Sequence, residues 1–569
     1  MTTTSPLPSQ SGLLFDRILP RNMILDPQPT HIDWSPTSLP LPTMEEKTTS
    51  SPLPAEVRPQ NPLEDPNTLS RPIGTLEMFF KRLGEFAVPA NREHAAFFTV
   101  VQLRFPSEVT NPEKYIARAW EVVGRRYPAL RAEVSPPDAA DPKGRYGFTV
   151  RPFDKESFQS SFSIHPGCTN VDELFTPPSP MRSTATCYWL PSPGQIILRT
   201  SHWRADGFGQ ILLTDVFMTT LANILERGLD GVLDESLTEL PLDGAITPGL
   251  EDLIEKYSPA EAEVDPADAD ILMDALINGG KSIALPTIPG SEGAAATTCS
   301  RAGIRMSAES SAELARACKA QGVSVTSALN AAIIRATARY PQEPDTDAYV
   351  IFAPVDLRGP LIAAGAHVEC AQPTGTYVSG LPLRIEGVVS RREETGESVP
   401  GKTFTQLAGE LSAFYSQDLL RYRRPGAGDD EKAVNLLQLA DPYFERMTEF
   451  FATFPAPGCP YPKTPVISSL GKMDSLVRRG YEYKYDGDAA AERRVDVTDF
   501  WVGIENATPM VTFHPWSWAD ELTLSAAWND SFYSDEIVIG ALEKIMEELG
   551  EGLKMEHVSY RIVHACCEL

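Results

Sequence analysis

Ser201-His202-Trp203-Arg204-Ala205-Asp206-Gly207 lies between two segments of different periodicity. Before it, Gln195–Ser201 carries Ile196, Ile197 and Leu198 in succession, the pattern of a buried strand. After it, Gly209–Arg227 is an apolar-faced helix. The segment between is a strand-to-helix loop, and a side chain on such a loop projects from the rigid end of a sheet. His202 there has the chemistry of a general base, because a neutral imidazole takes a proton from an alcohol or amine near neutral pH. Asp206 is suited to holding the loop through a buried ion pair, and Gly207 to letting the backbone turn without a Cβ. The chain has eight histidines, so a His-x-x-x-Asp-Gly spacing arises by chance in about three of a hundred such sequences. The spacing alone leaves a plain loop histidine as the competing reading.

Alternation of strand and helix continues outward from this loop. Upstream, Glu93–Arg104 contains the run Ala95-Ala96-Phe97-Phe98-Thr99-Val100-Val101, which predicts a buried strand. Asn111–Arg126 places Ile116, Ala119, Trp120 and Val123 on one helical face, and Tyr146–Pro152 and Ala185–Leu190 read as strands. Downstream, residues 228–300 are acidic and rich in Gly, Pro and Ala, with a short helix at Ala267–Ile277. The pattern then restarts. Arg301–Met306 is a strand, Ser307 caps a helix running to Gln321, and Gly322 stops it. Ser324–Tyr340 and Ala433–Thr453 are helices, Ala348–Phe352 and Glu521–Trp528 strands, and Asp535–Leu549 a closing helix. Strands alternating with helices in both halves predict α/β layers. The expected division is a Pro/Ser/Thr-rich irregular arm over 1–70, a first lobe over 71–240, a crossover over 241–300 and a second lobe over 301–569.

Composition narrows the function. The chain has 569 residues, 42 % of them hydrophobic, enough for more than one core. Its formal charge of −27 repels phosphate backbones and gives no attraction to anionic membranes, so neither nucleic acid nor membrane is an expected partner. Eight scattered cysteines without a CxxC pair fit reduced thiols in the cytoplasm. His367 with Cys370, and His564 with Cys566 and Cys567, lack a second ligand pair at zinc spacing, so no metal is expected. Met1–Gln10 has neither the basic start nor the apolar run of a signal peptide, and no stretch of 18 apolar residues predicts a membrane span. Gly280-Lys281-Ser282 imitates the end of a phosphate loop, but Ala275 stands where that loop needs glycine. No G-x-S-x-G elbow occurs. His514, before Pro515 and Trp516, reads as structural, and Trp516 and Trp518 as core or cavity lining.

The segment from His202 to Gly207 resembles the H-x-x-x-D-G signature shared by the BAHD acyltransferases and the condensation domains of nonribosomal peptide synthetases. Other segments match in order. Arg126-Tyr127-Pro128-Ala129-Leu130-Arg131 is similar to the family's RHPaLR, with Tyr127 in place of His. Pro354-Val355-Asp356-Leu357-Arg358-Gly359 resembles the second-lobe strand that ends in Arg. Gly375-Thr376-Tyr377-Val378-Ser379-Gly380-Leu381-Pro382-Leu383-Arg384 is similar to GxFvNtlplR, with Ser379 where the family usually has Asn. Ser468-Ser469-Leu470-Gly471 resembles vSNlG, and Asp499-Phe500-Trp501-Val502-Gly503 is similar in part to the BAHD DFGWG. The resemblance covers about residues 70–560. Within the superfamily it is nearest to the fungal trichothecene 15-O-acetyltransferase group, on Ser468–Gly471 followed by Asp499–Glu505. Peptide-forming condensation domains usually carry two adjacent histidines; here Ser201 precedes His202, which suits a stand-alone acyltransferase.

The resemblance implies an α/β fold of two chloramphenicol acetyltransferase-like lobes with an active-site tunnel at their interface and His202 at its middle. It implies that Asp206 points away from the tunnel and pairs with Arg358, and that Ser469 is a candidate oxyanion or tunnel residue. The implied reaction moves an acyl group, acetyl in the simplest case, from a CoA thioester to a hydroxyl of a small secondary metabolite. Acyl-CoA is then a co-substrate, no cofactor is permanently bound, and the enzyme is a monomer. Two alternatives stay open: a condensation-type enzyme whose donor sits on a carrier protein, and a catalytically silent metabolite-binding member of the family. The intact His202, Asp206 and Gly207 argue against the second.

Overall fold

A computed structural model describes residues 68–563, apart from 136–144, 176–181, 232–245, 260–264, 278–280, 424–432, 453–460 and 485–491. All but the end of the arm expected over 1–70 lies outside the described residues, as do Gly280, Cys459, His564, Cys566 and Cys567. The described cysteines are free thiols.

The first half supplies helix α1 (Thr75–Glu85), strand β1 (Phe97–Arg104), helix α2 (Pro112–Arg126), strands β2 (Phe162–Ile164), β3 (Thr186–Leu190) and β4 (Gln195–Thr200), and helix α3 (Gly207–Arg227). The second half supplies β5 (Cys299–Met306), α4 (Ala308–Ala320), α5 (Val325–Ala338), β6 (Thr346–Asp356), β7 (Val378–Ile385) and α6 (Ala440–Phe451). Strands β8 (Val466–Ile467), β9 (Gly480–Lys484), β10 (Glu492–Ile504), β11 (Thr512–Trp518) and β12 (Glu521–Asn529) follow, then helix α7 (Asp535–Leu553) and strand β13 (Tyr560–Val563). Helix starts follow local chemistry. Pro112 opens α2, where its missing N–H costs nothing. The side chains of Asp206, Ser307 and Ser324 accept backbone N–H groups at the starts of α3, α4 and α5.

The strands form two main mixed sheets. The first has the order β9-β10-β1-β4-β3-β2, and the second the order β8-β11-β12-β5-β13. A smaller sheet pairs β7 with β6 and β6 with Lys281–Ser282. Strand β1 is central and nearly all buried, which explains its unbroken apolar run. Helix α3 packs against α2 and is apolar on most faces because it is a core helix. By length and composition alone it also passes as a membrane span, although most of it is buried inside the protein. Its one buried amide, Gln210, is satisfied: Nε2 donates to the Leu198 carbonyl at 2.7 Å and Oε1 accepts from Thr200 Oγ1 at 2.8 Å.

Two features cross the expected lobe limits. Strands β9 and β10 lie inside the 301–569 segment, yet they belong to the first sheet, where β10 pairs with β1 from Ile504↔Phe97 to Asp496↔Arg104. The physical reason is that β1 has two edges. Strand β4 satisfies one set of backbone groups, and a partner some 400 residues away satisfies the other. In exchange, α1 packs on α6 of the second half, with Phe79 5.6 Å from the rings of both Phe444 and Phe451. The two hydrophobic cores record the same exchange. One joins Phe97, Trp120, Ile197 and Leu213 to Leu470 and Trp501; the other joins Leu76, Phe80 and Trp203 to the second half. The crossover expected over 241–300 holds helices Leu250–Tyr257 and Ala267–Ile277 and the short strand Lys281–Ser282 that pairs with β6.

Candidate active site

Strand β4 ends at Thr200 and α3 begins at Gly207, so the loop carrying His202 emerges from the end of an interior strand, between strand and helix as the pattern predicts. Two backbone hydrogen bonds, an isolated β-bridge and one side-chain hydrogen bond lace it to the segment before β7. Gly375 N donates to the Arg204 carbonyl at 2.7 Å, Asp206 N to the Gly375 carbonyl at 3.4 Å, Ala205 bridges Gly375, and Thr376 Oγ1 donates to the His202 carbonyl at 3.0 Å. Gly375 makes this approach possible: its φ of +104° is left-handed, and an added Cβ would stand 2.7 Å from the Tyr377 ring and 2.9 Å from Thr247.

Asp206 faces away from His202. Its Oδ1 accepts the Gly209 N–H at 2.8 Å, and its Oδ2 accepts the Tyr377 N–H at 2.8 Å and Arg358 Nη1 at 2.8 Å. Both side chains are almost fully buried. Burial alone would raise the Asp206 pKa; the Arg358 charge and these donors outweigh it and hold the carboxyl below its ordinary value. Arg358 also reaches Asp356 Oδ1 at 3.1 Å. The structure therefore joins Asp206 and Arg358 in one buried ion pair and leaves the imidazole outside it.

The His202 ring lies flat on Phe80 of α1, with centroids 3.8 Å apart and planes 4° apart. Its Nδ1 has no hydrogen-bond partner among the described residues. Loss of water around the ring lowers the His202 pKa; the Asp206 charge and the residue's own carbonyl offset this only in part. The ring is thus neutral at neutral pH, the form a base needs. Ser469 stands on the segment between β8 and β9 and shares a 2.9 Å hydrogen bond with Thr326 in the first turn of α5. Its neighbour Leu470 lies where a Cβ on Gly207 would find it at 3.6 Å.

Gly207 differs from its expected role. It is the first residue of α3, and a Cβ there would meet only Phe97 and Leu470 at ordinary contact distance, so the turn does not require glycine. His514 lies on β11, buried, with its ring 6.0 Å from Phe97; burial lowers its pKa to about 4. A cleft of about 630 Å³, lined by Lys114, Arg118, Trp120, Lys155 and Phe158, also borders Leu229 beyond the far end of α3. With a rise of about 1.5 Å per residue, α3 puts the Leu229 end of that cleft roughly 30 Å from the His202 loop.

Comparison with known proteins supplies an independent line. Residues 295–376 match the family model of the phthiocerol/phthiodiolone dimycocerosyl transferase C-terminus. The fold is similar to that of the TRI3 trichothecene 15-O-acetyltransferase from Fusarium sporotrichioides, at 14 % identity and a TM-score of 0.62, covering 85 % of this chain and 95 % of the other. It is also similar to the condensation domain of the Monacolin K polyketide synthase MokA, at 12 % identity and a TM-score of 0.52, covering 85 % and 98 %. The chain shares its fold with both of these proteins. Two relatives point in different directions by name. Acetyltransferase pigO of Monascus ruber is 24 % identical over 82 % of this chain and 93 % of its own length. A protein of Epichloe uncinata named loline biosynthesis cluster 1 transcription factor lolU1 is 28 % identical over 85 % of this chain and 96 % of its own.

Sequence reasoning missed Phe80 and His94, both near His202. Phe80 had a visible signal, since Leu76, Phe79, Phe80 and Leu83 form a helical stripe in Thr75–Glu85. Thr376 and Tyr377 lie inside Gly375–Arg384, but their contacts depend on the turn at Gly375.

Proposed function

We propose that the chain transfers an acyl group from a CoA thioester to a hydroxyl of a small secondary metabolite, with His202 as general base. One observation carries the reading: a histidine whose pKa burial lowers, stacked on Phe80, sits on a loop that a buried ion pair fixes from behind. A neutral imidazole so held can take a proton from an alcohol. In the reaction, His202 removes the acceptor hydroxyl proton as that oxygen attacks the thioester carbonyl. The tetrahedral intermediate collapses with loss of the C–S bond, and His202 returns the proton to the leaving thiolate. The products are an ester and a free thiol. No acyl-enzyme is required, because both substrates meet at one residue. Acetyl-CoA is the proposed donor, acting as co-substrate without a resident cofactor or metal, and the enzyme acts as a cytoplasmic monomer. Ser469 is proposed as a tunnel residue.

The name of lolU1 favours a second reading, a regulator that binds DNA. A formal charge of −27 works against it, since DNA affinity rests largely on cationic contacts with phosphates. Incubating the protein with acetyl-CoA and a panel of hydroxylated polyketides and terpenoids, with a thiol-reactive dye, tests the proposal. Alcohol-dependent thiol release supports it. Release only from an acyl-loaded carrier protein supports the condensation alternative, and promoter DNA binding without thiol release supports the regulator.

A further inference from the structure

The segment just before β1 is built in a way that its length does not require. Asn91 and Ala95, at φ 55° and 60°, occupy the left-handed region that non-glycine residues avoid. Between them Arg92, Glu93 and His94 are 1 %, 1 % and 5 % exposed. Charged side chains are seldom buried like this without partners, and here they have them. Arg92 Nη1 donates to Glu505 Oε1 at 3.0 Å, while Arg199 Nη2 pairs with Glu93 Oε2 at 3.0 Å and Glu505 Oε2 at 3.5 Å. Backbone bonds complete the frame: His94 N to the Gly84 carbonyl and Ala95 N to the Glu505 carbonyl. Strained backbone held by buried ion pairs is a feature that clusters at functional sites.

What the frame holds is a second imidazole beside the first. Strands β1 and β4 pair Phe97 with Thr200, so the segment bearing His94, three residues before Phe97, and the loop bearing His202, two residues after Thr200, leave the same end of two adjacent strands. Helix α1 covers both rings, Phe80 on His202 and Phe86, just past its end, 4.9 Å from His94. The Ala507 N–H donates to His94 Nδ1 at 3.1 Å. A ring that accepts at Nδ1 while neutral must carry its proton on Nε2. That Nε2 has no hydrogen-bond partner among the described residues. Burial, and secondarily the neighbouring His202, push the His94 pKa down to about 3, so His94 does not compete as a base.

We propose that His94 is a catalytic residue of the same site, a neutral donor whose Nε2–H binds the acyl carbonyl oxygen as it becomes negative. This rests on the acyltransferase reading. No proton leaves His94: it donates a hydrogen bond to the oxyanion while His202 moves the proton from acceptor to thiolate. A fixed donor of this kind acts on the transition state more than on bound substrate.

The test compares wild type, His94→Phe and His94→Gln. His94→Phe is expected to lower kcat by about 10²–10³-fold, with KM for both substrates within about threefold. His94→Gln, whose amide nitrogen reaches the Nε2 position, is expected to recover at least tenfold. A His94→Phe enzyme with near-normal kcat, or one changed only in acceptor KM, overturns the assignment while wild-type turnover keeps the acyltransferase reading intact. Nitrogen-15 NMR of histidine-labelled wild type gives a readout that needs neither turnover nor a folded variant. His94 should show an unprotonated Nδ1 and a protonated Nε2 unchanged from pH 8 to 5. A protonated Nδ1 or an ionised ring overturns the proposal; absence of thiol release with every donor instead defeats the reading beneath it.

Discussion

Removing the Asp206 carboxylate should destabilise the protein by an amount that its contacts let one work out. Asp206→Ala deletes three 2.8 Å acceptor interactions, to Gly209 N, Tyr377 N and Arg358 Nη1. It leaves Arg358, 2 % exposed at the side chain, with Asp356 at 3.1 Å as its remaining counter-charge. Breaking a buried pair costs about 3–5 kcal/mol. Asp356 retains part of the attraction, which points to the lower end, near ~3 kcal/mol. Loss of the α3 cap adds about 1 kcal/mol, for a total near ~4 kcal/mol. Urea denaturation followed by tryptophan fluorescence reads this as a lower midpoint for Asp206→Ala, with Arg358→Ala similarly affected. The double variant should be less harmed than the sum of the singles, with a coupling of about 1–3 kcal/mol. Strict additivity, or an Asp206→Ala midpoint equal to wild type, refutes the clamp. The pH dependence follows from the depressed pKa. The contribution is complete above the unfolded value of about 3.9 and is lost as pH falls through the lower folded value, so Asp206→Ala and wild type should converge in stability only in strong acid.

Other outcomes follow from the same geometry. Because the His202 pKa is lowered by burial, kcat/KM for acyl transfer should rise with pH through a midpoint below about 6.5 and then level; a midpoint well above that value contradicts the environment described for the ring. Gly375→Ala should yield little soluble protein, since φ +104° and contacts under 3 Å oppose any Cβ, whereas Gly207→Ala should fold normally by circular dichroism. Both variants folding equally well refutes the assignment of the constrained turn to Gly375.

The elements legible in the sequence were those whose pattern is local. The run Phe97–Val101 and the helix stripe Ile116–Val123 announce themselves because burial on a sheet or helix face imposes a period. The His202 loop was legible for the same reason, set between two such segments. Ala433–Thr453 was read as one helix, but α6 starts only at Ala440, because Val434 instead pairs with Tyr422 across an isolated bridge. Strand β10 opens with Arg493, Arg494 and Asp496 and hides its partner β1 some 400 residues away; no local pattern encodes that pairing. Arg92, Glu93, Arg199 and Glu505 look like surface charges in isolation, and only the meeting of three strand ends shows that they neutralise one another inside the protein. At the site, the orientation of Asp206 came from resemblance rather than spacing, since four residues of separation fit a triad equally well.

The most direct test of the account is steady-state acyl transfer from acetyl-CoA by His202→Ala, beside wild type, with folding checked by circular dichroism and melting temperature. The expected result is a folded variant whose kcat falls by about 10²–10⁴-fold, the loss that follows from a missing general base. A folded His202→Ala protein that releases thiol at close to the wild-type rate would contradict it.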